Sequence, residues 1–212
     1  MKSFLIIGMG TFGHILCKKL SEQKAEIMIV DKDAERVEDL LPYVVSAKIG
    51  DCTNKEVLKS FDVEAFDTCF VCIGNDFQNS LEVTSLLKEL KAKKVISKAE
   101  EEIQAKFLLR NGADKVIYAE QESAERLAIS ESSDNIFDCF EFSEDYLVCE
   151  IAPREKWIGK SIKTLNFRTK YNMSILAVKK GERIDPLPSP EYVFKENEHI
   201  MVLGHLDDIK KV

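Results

Sequence analysis

Three glycines, Gly8, Gly10 and Gly13, directly follow the apolar run Phe4 to Ile7 in FLIIGMGTFG. The run is too short and too apolar for an amphipathic helix, so it reads as a strand buried on both faces of a parallel sheet. In G-x-G-x-x-G after such a strand, the first glycine allows a tight turn and the second lets a pyrophosphate approach the backbone. The third lets the following helix pack closely on the strand. Free amides at that helix start, aided by the helix dipole, are suited to bind phosphates.

A glycine-rich turn also occurs where only packing requires it, so the neighbouring elements decide. His14 to Leu20 carries apolar residues at 15, 16 and 20, the pattern of a helix with one side on a sheet. AEIMIVD then gives a second buried-strand pattern closed by Asp31, 18 residues after Gly13. An acid at that strand end accepts hydrogen bonds from both hydroxyls of an adenosine ribose. Strand, glycines, helix, strand and acid in this order predict nucleotide binding.

Strand and helix patterns continue to alternate. VVSAKIG is followed by a helix in NKEVLKSF, DTCFVCIG by a helix from Phe77 to Leu90, and KKVISKA by a helix near Ile103 to Leu109. Asn111 and Gly112 supply a helix stop before DKVIYAE, the sixth strand. Six strands alternating with helices predict an α/β fold, a Rossmann-like doubly wound parallel sheet. A helix around Gln121 to Ser130 leads into the polar stretch SESSDN.

Beyond it the texture changes. FDCFEF, YLVCEIA, MSILAVKK and HIMVLGH read as short strands, WIGKSIKTLNF as one short helix, and PLPSP as an extended turn that cannot join a central strand. The expected division is residues 1–134, with the helix that leads out of the sheet, and a small α+β module over residues 135–212.

Ligands of such sheets bind at the carboxyl ends of the strands. GDCT, at positions 50–53, places Asp51 to bond an adenine edge, or Asp51 or Thr53 caps the next helix. IGND, at positions 73–76, offers Gly74 for close approach, and Asn75 or Asp76 there is equally a cap candidate.

The 212 residues are 45% hydrophobic, enough for packed cores, and carry a formal charge of -7, which opposes a surface that neutralises many nucleic-acid phosphates. No segment approaches the roughly 20 apolar residues that span a bilayer. The chain runs straight into its first strand without a signal-peptide pattern, so a bacterial-type cytoplasmic protein is expected. Of six cysteines, Cys69 and Cys72 form C-x-x-C within one strand pattern, where residues three apart point to opposite faces. Cys17, Cys52, Cys139 and Cys149 show no zinc spacing, and all six are expected to be reduced, small apolar residues.

With G-M-G-T-F-G, V-D, I-G-D-C-T, C-I-G-N-D, S-K-A and N-G-A-D-K-V-I-Y-A-E in order, the sequence resembles the RCK proteins, cytoplasmic gating subunits of Ktr and Trk potassium uptake systems. W-I-G-K-S-I, L-N-F-R-T-K-Y-N, I-L-A-V and H-I-M-V-L-G resemble their carboxyl-terminal domain, RCK_C. The resemblance spans essentially the whole chain. It implies a non-enzymatic regulator that binds ATP or ADP, assembles through dimers into an octameric ring, and docks on a membrane potassium channel or transporter without entering the bilayer or binding nucleic acid. The implied location is the inner face of the plasma membrane, through that partner.

The resemblance carries the nucleotide site onto Gly8, Met9, Gly10, Thr11, Phe12 and Gly13, then Asp31 and Lys32, Asp51, Cys52 and Thr53, Ile73, Gly74 and Asn75. Lys98, in S-K-A, matches a lysine near the nucleotide, and Glu120, in Y-A-E, an acid that holds a cation between subunits. Thr11 departs from the family pattern, in which an arginine often reaches a γ-phosphate. Arg168 and Pro188 fall where some relatives bind a cyclic dinucleotide.

Two rivals share the fingerprint. Asp31 suits NAD as well as ATP, which admits an NAD-dependent oxidoreductase or an NAD(H)-sensing regulator. Hydride transfer uses a positioned acid or base, yet the only histidines are His14, expected at the surface, and His199 and His205, flanking one strand of the small module. A nucleotide-sensing repressor is disfavoured by the acidity and by the lack of a recognition-helix pattern.

Overall fold

The computed structural model describes residues 1–143 and 145–211. They form two compact units, Met1–Gln121 and Glu122–Val212. In the first, strands β1 (Ser3–Ile7), β2 (Glu26–Asp31), β3 (Ser46–Ile49), β4 (Thr68–Val71), β5 (Val95–Lys98) and β6 (Lys115–Ile117) alternate with helices. These are α1 (Thr11–Glu22), α2 (Glu35–Glu38), α3 (Lys55–Lys59), α4 (Phe77–Glu89) and α5 (Glu102–Arg110), and α6 (Ala119–Glu131) leads out of the sheet. All neighbours are parallel, in the order β3-β2-β1-β4-β5-β6. The chain builds outward from β1 to β3, then returns to pair β4 on the other side of β1. Such a reversal opens a crevice at the carboxyl ends of the strands, between β1 and β4.

The apolar runs are explained by burial on both faces. Leu5, Ile7, Met28, Val30, Cys69 and Val71 enter one core, while Ile6, Ile27, Ile29 and Cys72 enter the other. Cys69 and Cys72 thus lie in different cores, as their spacing predicts. The packed side of α1 differs from the sequence pattern: Gly13 and Cys17 are buried, with Phe12, Leu16 and Leu20 beside them, and Ile15 is exposed. Residues 35–38, which carry no apolar repeat long enough to read, form the one-turn helix α2, pinned by buried Val37 and Leu40.

The second unit is an antiparallel sheet ordered β10-β9-β11-β8-β7, from β7 (Ile136–Ser143), β8 (Tyr146–Ile151), β9 (Met173–Lys180), β10 (Arg183–Pro186) and β11 (His199–His205). One face covers a core centred on Trp157, Phe167 and Phe194. The Trp157 indole donates to the Tyr171 hydroxyl at 2.8 Å, satisfying its buried N–H.

Two sequence expectations are corrected here, and one element is added. WIGKSIKTLNF is not one helix: a 3₁₀ turn at Glu155–Trp157 precedes α7 (Ile162–Leu165) and α8 (Phe167–Tyr171). Gly159, at φ +75°, breaks the first from the second, and Asn166, at φ +48°, parts the two helices. The last strand is followed by one more helical turn, α9 (Leu206–Ile209), which buries Ile209. Cys139 and Cys149 are not free thiols but a disulfide, because β7 and β8 place them directly opposite each other with Cα atoms 4.1 Å apart. The other four cysteines are free and buried. PLPSP keeps out of the sheet interior, with Pro186 ending the edge strand β10.

Candidate functional site

A cleft of about 580 Å³ opens at the carboxyl ends of the parallel strands. The glycine loop forms its floor. Gly8 sits at φ +93°, where a side chain is strained and would press on Ile73 and the Cys72 backbone. A Cβ on Gly13 would lie 2.1 Å from the Gly8 carbonyl oxygen, so this glycine serves the close packing of α1 on β1. Gly10 differs from both: a Cβ there meets nothing within 4 Å, and its own φ is -68°. Its missing side chain keeps open space inside the cleft. Gly10 also gives α1 no side-chain cap, and the first turn holds no acid. The start of a twelve-residue helix is thereby left suited to an anion.

Asp31 closes β2 at 8% exposure. Its Oδ2 accepts from the Met9 amide at 2.6 Å and its Oδ1 from the Asp33 amide at 2.9 Å. Since a carboxylate has roughly four lone-pair sites, each oxygen keeps capacity for a ribose hydroxyl. The same acid therefore shapes the glycine loop and faces the cleft.

Asp51 accepts from the Thr53 amide at 3.0 Å and the Thr53 hydroxyl at 2.8 Å, bonds that hold its carboxyl below the usual carboxylate value. Neither residue caps the next helix, because Asn54 does so through the Glu56 amide. After β4 the cap is Asp76, which accepts from the Asn79 amide, and Asn75 is left lining the cleft. Gly74 admits two side chains: a Cβ there would come 2.9 Å from Glu100 Oε1 and 3.0 Å from Lys98 Nζ.

Lys98 is almost buried and donates to Glu120 at 2.5 Å, and this bond keeps Glu120 below the ordinary glutamate range. Burial pushes the Cys52 and Cys72 thiols up to about 12, so both line the cleft as protonated, unreactive walls. Among the described residues, no group of three or more His, Cys, Asp or Glu side chains is gathered to hold a metal ion. Glu120 alone does not fit a hard cation, which takes several oxygen ligands.

Of the residues expected from sequence, Gly8 to Phe12, Asp31, Lys32, Asp51 to Thr53, Ile73 to Asn75, Lys98 and Glu120 all line this one cleft. Gly13 does not. Arg36, Asn79 and Glu100 line it as well and were missed. Glu100 follows S-K-A directly and was readable as a strand-end residue, whereas Arg36 depends on a helix too short for periodicity to show. In the second unit, Arg168 and Pro188 come together on a cavity of about 440 Å³ whose wall includes Lys163, Asn166, Phe167 and Ile175.

The TrkA-N domain family matches residues 4–119 and the TrkA-C domain family residues 149–212. The chain belongs to this family of two-domain TrkA-N/TrkA-C proteins. Ktr system potassium uptake proteins C and A of Bacillus subtilis (strain 168) are each 34% identical to it over 210 residues, covering 99% of this chain and 95% of theirs. A solved structure described as the GsuK channel superposes with a TM-score of 0.72 at 17% identity, over 99% of this chain and 38% of the channel chain. Another, described as the GsuK channel bound to NAD, gives 0.69 at 17%, over 98% and 38%. These likenesses establish the RCK fold for both units.

Proposed function

We propose that this protein is a nucleotide-binding regulatory subunit of a potassium uptake system, with ATP and ADP as its ligands. The observation that carries the reading is the single cleft onto which the glycine loop, Asp31, Asp51 and Lys98 converge in a chain so similar to two Ktr uptake proteins. The phosphates bind at the open start of α1 over Gly10, the ribose on Asp31, and the adenine edge on Asp51. A ligand gates only through its different affinity for two conformations, so ATP and ADP must differ in what they contact around Thr11 or across a subunit boundary. The chain is regulatory rather than catalytic.

The working assembly is a ring of dimers, an octamer, seated on the cytoplasmic side of a membrane potassium channel or transporter subunit. None of the described helices is long and apolar enough to cross a membrane, which fits attachment through that partner. Residues 1–134 act as the nucleotide-binding domain and 135–212 as the second domain. Glu120 holds a cation only where a second copy adds oxygen ligands. A cyclic dinucleotide is the candidate ligand of the cavity at Arg168 and Pro188, where a cation and a cavity of adequate size meet.

NAD(H) sensing is the second reading, favoured by the structural likeness to a channel described as bound to NAD. Identification of the nucleotide that copurifies, followed by calorimetry with ATP, ADP and NADH, separates the two. Gly10→Val tests the site itself. The new side chain enters empty space without backbone strain, so the protein stays folded while all adenine nucleotides lose binding. Retained affinity in a folded Gly10→Val protein would remove the glycine loop from the site.

A further inference from the structure

The four free cysteines all lie buried in the first unit, and burial holds their thiols at about 11 to 12. Cys139 and Cys149 stand apart. They face each other across β7 and β8, are 2% and 0% exposed, and form a disulfide within the second core. β7 is the edge strand of its sheet, and its register shifts on both sides of the bridged pair, between Ile136 and Asp138 and between Glu141 and Ser143. An edge strand with a bulge at either end is paired on one side only and holds fewer ladder bonds than a regular one. The disulfide is a covalent tie across the short regular ladder between the two bulges.

The same stretch of β7 holds α6. Asp138 Oδ1 accepts from the Cys139 amide at 2.9 Å and from Arg126 Nε at 2.6 Å, while Asp138 Oδ2 accepts from a terminal nitrogen of Arg126 at 2.5 Å. The Arg126 guanidinium also lies 4.1 Å from the centre of the Phe140 ring. Residues on both sides of Cys139 thus grip one arginine of α6. This helix buries none of its own residues, and Arg126 and the half-buried Ile129 are among the residues that tie it to the rest of the second unit.

We propose that Cys139 and Cys149 form a reversible dithiol–disulfide switch whose state sets how firmly β7, through Asp138 and Phe140, holds α6. The co-reactant is a low-molecular-weight thiol and its disulfide. In the reducing direction a thiolate attacks one sulfur of the bridge and releases the other as a thiolate, which takes a proton. A second thiol then resolves the mixed disulfide, so two external thiols become one external disulfide and the protein gains two thiols. Because both sulfurs are buried, attack waits for β7 to open, and exchange is slower than at an exposed bridge.

Full-length protein equilibrated with reduced or with oxidised glutathione, then denatured and alkylated, should expose six thiols in the first case and four in the second. The 139–149 link should appear by mass spectrometry only in the second. Hydrogen exchange over residues 122–131 should be at least fivefold faster in the reduced form. Arg126→Gln should erase that difference while the bridge still cycles, a result that a purely structural disulfide does not produce. Three results overturn the proposal: six alkylated thiols after oxidised glutathione, a bridge that reduced glutathione leaves intact in the native protein, or equal exchange in α6 for both redox forms.

Discussion

The two sheets of this protein solve the same burial problem in opposite ways, and in the parallel sheet the strand order itself opens a cleft. The parallel sheet is covered on both faces by two separate cores, so its strands carry unbroken apolar runs and its polar chemistry is confined to the loops at the strand ends. The antiparallel sheet rests on one aromatic core, and on its other face Glu150 pairs with Lys179 and shares a hydrogen bond with His199. Side chains that line the first cleft are therefore set by topology. The cavity of the second unit is lined by short helices and includes Asn166, a residue in left-handed backbone.

The sharpest way to break the contrast is to damage the second core alone. Trp157→Ala removes a fully buried indole that contacts Phe167 and Tyr171 and donates to the Tyr171 hydroxyl. A loss of about 3 to 5 kcal/mol is expected, read by chemical denaturation, with ATP and ADP affinity unchanged by calorimetry at low temperature. If nucleotide affinity falls in step with stability, the first cleft is not an independent product of the parallel sheet.

Next comes Asp31, which holds the glycine loop and is the proposed ribose acid. Asp31→Ala should weaken ATP and ADP binding by about 1.5 to 3 kcal/mol, the range for hydrogen bonds to charged groups. It should also lower the stability of the first unit, since the Met9 and Asp33 amides lose their acceptor. Asp31→Asn keeps one acceptor oxygen, so it should recover part of the stability and little of the affinity. Equal recovery of both would reduce Asp31 to a structural residue.

Thr11→Arg probes the position at which the resemblance to RCK proteins leads to the expectation of an arginine. Thr11 opens α1, is exposed, and lines the cleft. A cation there should strengthen ATP over ADP by about 1.5 to 3 kcal/mol where the charge-assisted bond is well formed. Paired titrations decide it: equal gains for both nucleotides, or none, would place the γ-phosphate contact elsewhere.

The smallest effect concerns pH and the other face of the second sheet. Burial raises the Glu150 carboxyl, but the bonds from Lys179 and His199 outweigh it and leave the group below its ordinary value of 4.5. A depressed folded value stabilises the fold above the unfolded value, and the contribution is lost as pH falls through the folded one. Denaturation midpoints of the second unit should therefore decline below about pH 4.5, less steeply in Glu150→Gln. Parallel pH profiles for the two proteins would exclude this cluster as a source of stability.

The first unit was largely legible in advance because its elements depend on local rules. A both-faces-buried strand has an apolar run, a tight turn from strand into helix needs glycine, and the proposed ribose acid stands at a strand end. Those constraints sit within a few residues of each other, so Gly8, Gly10 and Asp31 could be read directly. The sequence also separated Cys69 from Cys72, since two-residue alternation alone puts them on opposite faces. Tertiary structure decided what depends on partners distant along the chain: that Asp51 bonds Thr53 while Asn54 caps the helix, that Lys98 meets Glu120, and that Arg36 reaches the cleft from a single helical turn. It decided the disulfide as well. Cys139 and Cys149 are ten residues apart, and only the register of β7 against β8, set by a hairpin with bulges, puts one opposite the other. Residue types and spacing carry periodicity and chemistry, but register is a property of two strands together.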